Sequence, residues 1–347
     1  STTFQYLKMF LKKGYVVKFI GDNYLHEEPY TSTLQQMGIE VLYGQEYLTG
    51  IWDWLVKNGK DIHVAYLNRP HIATKYVDFI KEHTDIKMIY YGHDLHFMRE
   101  FREYELTGDV KKRQESEYWK SIEFSLFHKV AVSYYPSYVE EEAIHAVDET
   151  IPVKAITAYV YEEFLQNLNK DFAKREGLLF VGGFAHPPNA DAVLWFAKEV
   201  FPKIREQIKV NFYIVGSKVT DEIKALEQPG NGIIVKGFVS EEELADLYRN
   251  CRIVVVPLRY GAGVKGKVVE AIYNGAPIVT TSVGSEGIPE VEKVLLVEDQ
   301  PDEFAETVVE LYNDEKRLED LAEKTQVYIR EHFSIDAAWD VIKEDFE

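Results

Sequence analysis

One cysteine, Cys251, stands in 347 residues. A single thiol excludes an intrachain disulfide framework and fits a reducing compartment. A chain of this length buries about three quarters of its unfolded surface when compact, so it needs no covalent staples. Long apolar runs are missing too. Without about eighteen consecutive apolar residues, no stretch of this sequence reads as a membrane-spanning helix. Basic residues are few, 39 Lys and Arg against 58 Asp and Glu, a net charge of −19. An averaged surface of that sign repels DNA, RNA and anionic lipid, so no nucleic-acid partner is expected and membrane contact is at most transient. Nucleophile signatures are absent: there is no G-x-S-x-G, no P-loop ending in Lys-Ser or Lys-Thr, and no G-x-G-x-x-G after a first strand. Low-complexity tracts and repeats of twenty to fifty residues are absent as well. A content of 46 % hydrophobic and 28 % charged residues is that of a folded chain.

What is present is an alternation. Short β-branched or aromatic runs (VVKFI, IEVLY, IHVAYL, IKMIYY, KVAVS, VKAITA) are separated by helical patterns such as IATKYVDFIKEH and residues 109–128. After a polar, weakly periodic stretch at 160–177, cleaner runs follow: GLLFVG, NFYIVGS, GIIVKG, RIVVVPL, PIVTT and KVLLVED. Strands alternating with helices of ten to fifteen residues mean βαβ units and parallel sheets, and continuous apolar strands mean helices on both faces. The chain therefore reads as α/β, two Rossmann-like doubly wound domains. The boundaries expected are 1–160 for the first domain, 161–177 for a linker and 178–330 for the second. A C-terminal helix at 331–347 is placed to pack back on the first domain. The order at the start is unusual: Phe4, Leu7, Phe10 and Leu11 fall at helical spacing, Gly14 is a stop, and a strand follows from Tyr15 to Ile20.

Open α/β sheets bind ligands beyond the carboxyl ends of their strands. The richest such place is VVVPLRYGAGVKGKVVEAIYNGAPIVTT, residues 254–281. A strand ends at Pro257, glycines 261, 263 and 266 follow, and a helix starts near Lys267 with Glu270 in its first turn. Glycines let a backbone approach an anion, and a helix N-terminus offers free N–H groups. Arg259, Lys265 and Lys267 bring cations to the same loop. Their pattern in so acidic a chain points to a phosphate group, against the alternative of a solvated loop with incidental lysines. Glu270 read by itself is either a ligand carboxylate or a helix-dipole partner. In LLFVGGFAHPPNADAVLWFAKEVFPKI, residues 178–204, Asn189 is a candidate helix cap and His186 a surface or capping histidine.

Residues 254–281 resemble the C-terminal domain of GT-B-fold glycosyltransferases, in particular the retaining family 4 (glycosyl transferases group 1). Its pattern E-G-F-G-x-P-x-x-E-A-x-x-x-G-x-P-V-V is matched in its second half by Glu270-Ala271, Gly275, Pro277, Ile278 and Val279. Ala262 takes the place of the first glutamate, so this chain resembles a subset with a G-A-G-x-K-x-K loop. The likeness continues at residues 178–204, where Gly182 and Gly183 would lie under a donor diphosphate. At 235–257, Gly237, Phe238 and Val239 match a segment whose backbone faces the nucleobase; Phe238 is equally readable as core. It also covers TSVGSEG, 281–287. In the first half it is carried by YYGHDLHFMREFREY, 90–104, with His93 at the strand end, and by 130–143. At 155–164 the usual P-N-G-V-D is degraded, so the linker is placed by position.

The resemblance implies a GT-B architecture with an interdomain cleft, and a retaining transfer of a sugar from a nucleotide-diphosphate sugar to a glycan, lipid-linked or protein acceptor. It implies catalytic roles for His93, Lys265 and Glu270, and donor contacts from Gly182, Gly183, Gly237, Phe238, Val239, Arg259, Gly263 and Lys267. Lys265 is the expected main phosphate contact, Glu270 the ribose contact, and His93 the contact to the donor sugar. No cofactor or metal is expected, although His93-Asp94-Leu95-His96 offers a rival ligand set. The tract Lys111–Arg113 reads as a solvated helix face. Cell-surface polysaccharide synthesis in the cytoplasm is the biology the resemblance implies. A non-catalytic nucleotide-sugar-binding module, motivated by Ala262, and a nucleotide-sugar epimerase are the alternatives. The family's first domain opens with a strand before its first helix, so the first domain is expected to lack that central strand.

Overall fold

The computed structural model describes residues 2–347. Contacts divide the chain into two compact units, Ser1–Val160 with Ala338–Glu347, and Tyr161–Ala337. Among the described residues no helix is long and apolar enough to cross a membrane.

The first unit opens with the helix Thr2–Lys12, which buries Tyr6, Leu7, Met9 and Phe10. Gly14 stops it at φ +87°, a conformation a side chain would strain. Six strands follow: β1 (Lys18–Ile20), β2 (Glu40–Leu42), β3 (Val64–Asn68), β4 (Lys87–Tyr91), β5 (Val132–Tyr135) and β6 (Val153–Ala155). All their pairings are parallel. They form two sheets, β1-β2 and β3-β4-β5-β6, with no ladder joining β1 to β3. The parallel pairing within each sheet is that of βαβ units. β5 lies slightly later than the run KVAVS because Tyr134 and Tyr135, both 0 % exposed, pair into the ladder. One apolar core joins β3, β4 and the helix Pro70–His83 through Ala73, Val77, Ile80, Met88 and Tyr90. The C-terminal residues are tied to the same unit. Asp345 accepts from Tyr134 Oη at 2.6 Å and Lys154 Nζ at 2.7 Å, and the Phe346 ring lies 5.0 Å from Phe10.

The second unit has six strands: β7 (Leu178–Val181), β8 (Phe212–Val215), β9 (Ile233–Gly237), β10 (Ile253–Val256), β11 (Ile278–Thr280) and β12 (Leu295–Val297). They make one sheet in the order β12-β11-β10-β7-β8-β9, all parallel. This is the doubly wound order, with its switch point between β7 and β10. Every residue of β10 and β11 is buried, as continuous apolar strands covered on both faces require. Residues 161–177 form neither helix nor strand beyond a bridge from Tyr161 to Ser334. Two buried arginines fasten that segment to the second unit: Arg175 donates to Tyr248 O and Arg249 O, each at 2.8 Å, and Arg252 donates to Phe172 O. Most of their donors find carbonyls, and the Arg175 guanidinium, whose Nη1 has no hydrogen-bond partner among the described residues, lies over the Phe172 ring at 4.4 Å.

The paired environments of the strands differ, and exchange of backbone amides reports that difference. In hydrogen–deuterium exchange β7 and β10, which have neighbours on both sides, are expected to exchange slowest, and β1 and β2 faster. Equal protection of β1 and β10 would contradict this layout.

Candidate active site

The carboxyl ends of β7, β8, β9 and β10 lie on one side of the second sheet because all four run parallel. Gly182 and Gly183 leave β7. Gly182 N donates to Val215 O at 2.9 Å, and Gly216 N donates to Gly237 O at 2.8 Å. Gly182 is compact by necessity: a Cβ there would stand 3.0 Å from Asn189 Cγ and 3.2 Å from Lys267 Cε. Gly216 is packed harder still, since a Cβ would strike the Gly182 carbonyl. After β10 the loop passes Gly261 at φ +128° and Gly263 at φ +72°. It then enters the helix Gly266–Tyr273, with Lys265 at the N-cap position. A cavity of about 200 Å³ opens here, lined among others by His186, Asn189, Tyr260, Ala262, Lys265 and Lys267.

Each cation of the loop has a different partner. Arg259 Nε donates to Asp191 Oδ2 at 2.8 Å, and its Nη2 donates to Oδ1. Lys265 Nζ donates to Gly263 O and lies 3.4 Å from Glu286 Oε2. Lys267 Nζ donates to Asn189 Oδ1. Burial, with the charge of Lys265 adding to it, lowers Lys267 to about 8. His186 is lowered by burial and by Lys267 and Lys265. Glu270 lies beyond the first turn of its helix, not in it, so dipole stabilisation does not explain its position. Burial raises its pKa, and its carboxylate makes no hydrogen bond or ion pair among the described residues. Phe238 is 81 % exposed at the end of β9, which removes the core reading. Val239 beside it is half-buried, and Ser240 caps the next helix through Glu243 N at 3.1 Å. Asn189 is not the cap of its helix. His186 holds that position, without a side-chain hydrogen bond, because Pro187 and Pro188 start the helix earlier.

In the first unit, His93 follows β4 at φ +56°. Its Nε2 lies 3.2 Å from Asn68 Oδ1 at the end of β3, and its ring meets Tyr91 edge-on at 4.6 Å. Burial, with Arg69 adding to it, lowers His93 to about 4. The imidazole is thus neutral at pH 7. An accepting Asn68 oxygen selects the Nε2–H tautomer, which leaves Nδ1 as an acceptor. Arg69 is also left-handed, at φ +63°, and its N–H donates to Tyr91 O at 3.2 Å. Two non-glycine residues in that region at adjacent strand ends mark a local constraint. His96 turns elsewhere. Its Nδ1 is 3.2 Å from Glu123, a fully buried carboxylate that also accepts His96 N at 2.9 Å and Phe97 N at 3.1 Å. Although burial opposes it, this contact raises the His96 pKa. Asp94 pairs with Arg99. The two histidines therefore do not converge, and among the described residues no group of three or more His, Cys, Asp or Glu side chains is placed to hold a metal. Lys112 pairs with Glu100, Glu103 and Glu115, and Arg113 with Glu117, along an ion-paired helix face. Sequence reasoning did not single out Asn68, Arg69 or Glu286. The signal for the first two was their place between a strand and Pro70.

Residues 175–314 match the family described as Glycosyl transferases group 1. An uncharacterized 44.6 kDa protein in the cps region of Klebsiella pneumoniae is 33 % identical over 136 residues, 37 % of this chain and 33 % of that protein. The match thus spans about a third of that relative. HepE from Anabaena, solved with UDP and glucose, is similar at TM-score 0.65 and 14 % identity, over 99 % of this chain and 95 % of its own. A sucrose-phosphate synthase from Thermosynechococcus elongatus is similar at TM-score 0.67 and 14 % identity, over 99 % and 91 %. TarM is similar at TM-score 0.64 and 14 % identity over 85 % of this chain, which covers 57 % of TarM. The chain has the two-unit α/β architecture of the GT-B fold, and within it residues 175–314 match the glycosyl transferases group 1 family.

Proposed function

We propose that this chain transfers a sugar, with retention, from a nucleotide-diphosphate sugar to an acceptor hydroxyl in cell-surface polysaccharide synthesis, in the manner of family 4 and in the cytoplasm. The observation that carries the reading is the gathering of Arg259, Lys265 and Lys267 around a glycine loop at the strand ends of a chain with net charge −19. Support comes from the group 1 match, from the cps-region relative, and from solved neighbours bound to UDP and UDP-glucose. A TarM variant was solved with UDP, fondaparinux and alpha-GlcNAc-glycerol, a nucleotide together with glycans.

In the transfer the bond between the anomeric carbon and the β-phosphate oxygen breaks, and a bond from the acceptor oxygen to that carbon forms. The acceptor proton passes to the leaving phosphate, so no protein nucleophile is used. The dominant help is electrostatic: Lys265, Lys267, Arg259 and the N–H groups at Gly266 face the charge that develops on the phosphate. They supply locally the positive charge the step needs, and the reading requires no metal or cofactor. Gly182, Gly183 and Gly263 leave room for the diphosphate. Glu270, a half-buried carboxylate with open acceptor positions, suits the two ribose hydroxyls. Gly237, Phe238 and Val239 border the base. Neutral His93, with Nδ1 open, suits a sugar hydroxyl. A second reading, a nucleotide-sugar-binding module without turnover, is favoured by one observation: exposed Ala262 stands where the family pattern has its first glutamate.

UDP or GDP is expected to raise the melting temperature of the chain. Lys267→Ala and Lys265→Ala should each weaken nucleotide binding about tenfold or more, the scale of a lost charge-assisted hydrogen bond. Binding should also fall as pH rises from 7 to 9. The Lys267 ammonium is present below about 8 and lost above it, while the terminal phosphate is already ionised. Absence of any nucleotide-induced shift would sink the reading. Glu270→Gln should weaken UDP about tenfold yet leave inorganic pyrophosphate unaffected, as a ribose contact requires; calorimetry with both ligands decides it. Product mass after incubation with a panel of nucleotide sugars separates transfer from binding alone.

A further inference from the structure

Three cations serve the glycine loop, and two of them face carboxylates: Arg259 meets Asp191, and Lys265 lies 3.4 Å from Glu286. Lys267 instead meets the neutral side chain of Asn189. That side chain is 5 % exposed and bonded at both ends: its Nδ2 donates to Gly183 O at 2.7 Å, and its Oδ1 accepts from Lys267. The two partners fix the orientation of the amide, because an ammonium has only donors and a carbonyl only accepts. Pro187 and Pro188 open the helix that carries Asn189, so the mount is stiff. Gly182 closes the arrangement, since a Cβ there would crowd both Asn189 and Lys267.

We propose that Asn189 is a positioning residue, which bridges the Gly183 carbonyl to the Lys267 ammonium and so presents an uncancelled positive charge to the diphosphate of the donor. The inference rests on the reading of this loop as a diphosphate site. A lysine carries four rotatable bonds, and fixing them before the ligand arrives removes an ordering cost from binding. An aspartate in the same place would also fix the lysine, but would cancel the charge the phosphate needs. An alanine would leave the charge and lose the placement. Asparagine gives placement without cancellation. Burial already lowers Lys267 to about 8, so an acceptor on its ammonium also helps keep it charged near neutrality.

The test is calorimetric titration of the full chain with UDP and GDP between about pH 6.5 and 9.5, across the window in which the ammonium titrates. The proteins are wild type, Asn189→Ala, Asn189→Asp, Lys267→Ala and the double variant Asn189→Ala/Lys267→Ala. Asn189→Ala should bind about tenfold more weakly near pH 7 and lose affinity at lower pH than wild type. Asn189→Asp should also bind more weakly, but its alkaline loss should move to higher pH, because the new carboxylate favours the ammonium. In the Lys267→Ala background, Asn189→Ala should cost nothing further, since the two act as a unit. A merely structural asparagine would lower affinity in both backgrounds and leave the pH limb unmoved; that result overturns the inference. If Lys267→Ala itself loses no affinity, or wild type binds neither nucleotide, the diphosphate site is wrong and the inference falls with it. If Lys267→Ala loses affinity while the Asn189 variants keep the wild-type profile, only the inference falls. Circular dichroism checks the fold of each variant. Asn189→Ser, which fits the same space, replaces either that fails to fold and should show the lower-pH shift of the alanine.

Discussion

The chain carries a net charge of −19, so a phosphate can settle on it only where local positive charge outweighs the rest. Screening makes this feasible. At physiological salt an exposed acid more than about 8 Å away contributes little, and the balance is set by the nearest groups. In the second unit those nearest groups are brought together by parallel pairing. β7 and β10 run side by side and end on the same side of the sheet, so the turn at Gly182 meets the loop that leads to Gly266. The close approach of Gly182 to Asn189 and Lys267 is possible only because that residue has no side chain. The rest of the site follows from this contact: the helix that carries Glu270 also carries Lys267, three residues earlier on the same face.

The first unit solves a different problem with similar parts. β3 and β4 are in register from Val64 opposite Lys87 to Asn68 opposite Tyr91. Their ends therefore set Asn68 beside the turn that holds His93. Arg69 and His93 both take left-handed backbone, which costs free energy that the surrounding structure must offset. The return is a neutral imidazole in a single tautomer, with its ring held against Tyr91 and its Nε2 toward Asn68. A neutral ring with one open acceptor suits a hydroxyl, whereas a charged one would compete for phosphate. Glu123 separates the second histidine from the first by drawing His96 to the start of the following helix.

Much of the fold was legible because each strand is a short apolar run bounded by polar turns. Each of the twelve strands overlaps one of the short β-branched or aromatic runs, β5 only through Val132 and Ser133, its last two residues lying beyond KVAVS. The all-parallel pairing was legible as well, since helices separate successive strands within each unit. Less could be read at the sites. Lys265, Lys267 and Glu270 announce themselves through glycines, position and the resemblance of their segment to a known family. Asn189 looked like a helix cap because its type favours caps, but two prolines had already set the helix start, which freed its side chain for Lys267. Phe238 was ambiguous because an aromatic at a strand end packs or projects according to what tertiary structure puts beside it, and here it projects. Glu123 lies 27 residues from the N–H it accepts, a pairing that no local pattern encodes.

The partners of the three cations imply a division of labour among them. When a phosphate arrives beside Arg259 or Lys265, it competes with a carboxylate already present, so the cation exchanges one anion for another and the net electrostatic gain is reduced by the pair that is loosened. Lys267 has no such exchange to make. Its acceptor is an amide, which has no charge to release, so the attraction between its ammonium and a phosphate is opposed mainly by desolvation. The same geometry explains why Lys267 sits deepest in charge terms: crowded by Lys265 and removed from water, it gains most from a negative ligand. Arg259, 48 % exposed on its side chain, is suited to first encounter, and Lys265 to the loop itself through Gly263. On the proposed reading, then, the strength of the site rests on its least compensated charge, which is usable because the residue proposed to place it is neutral.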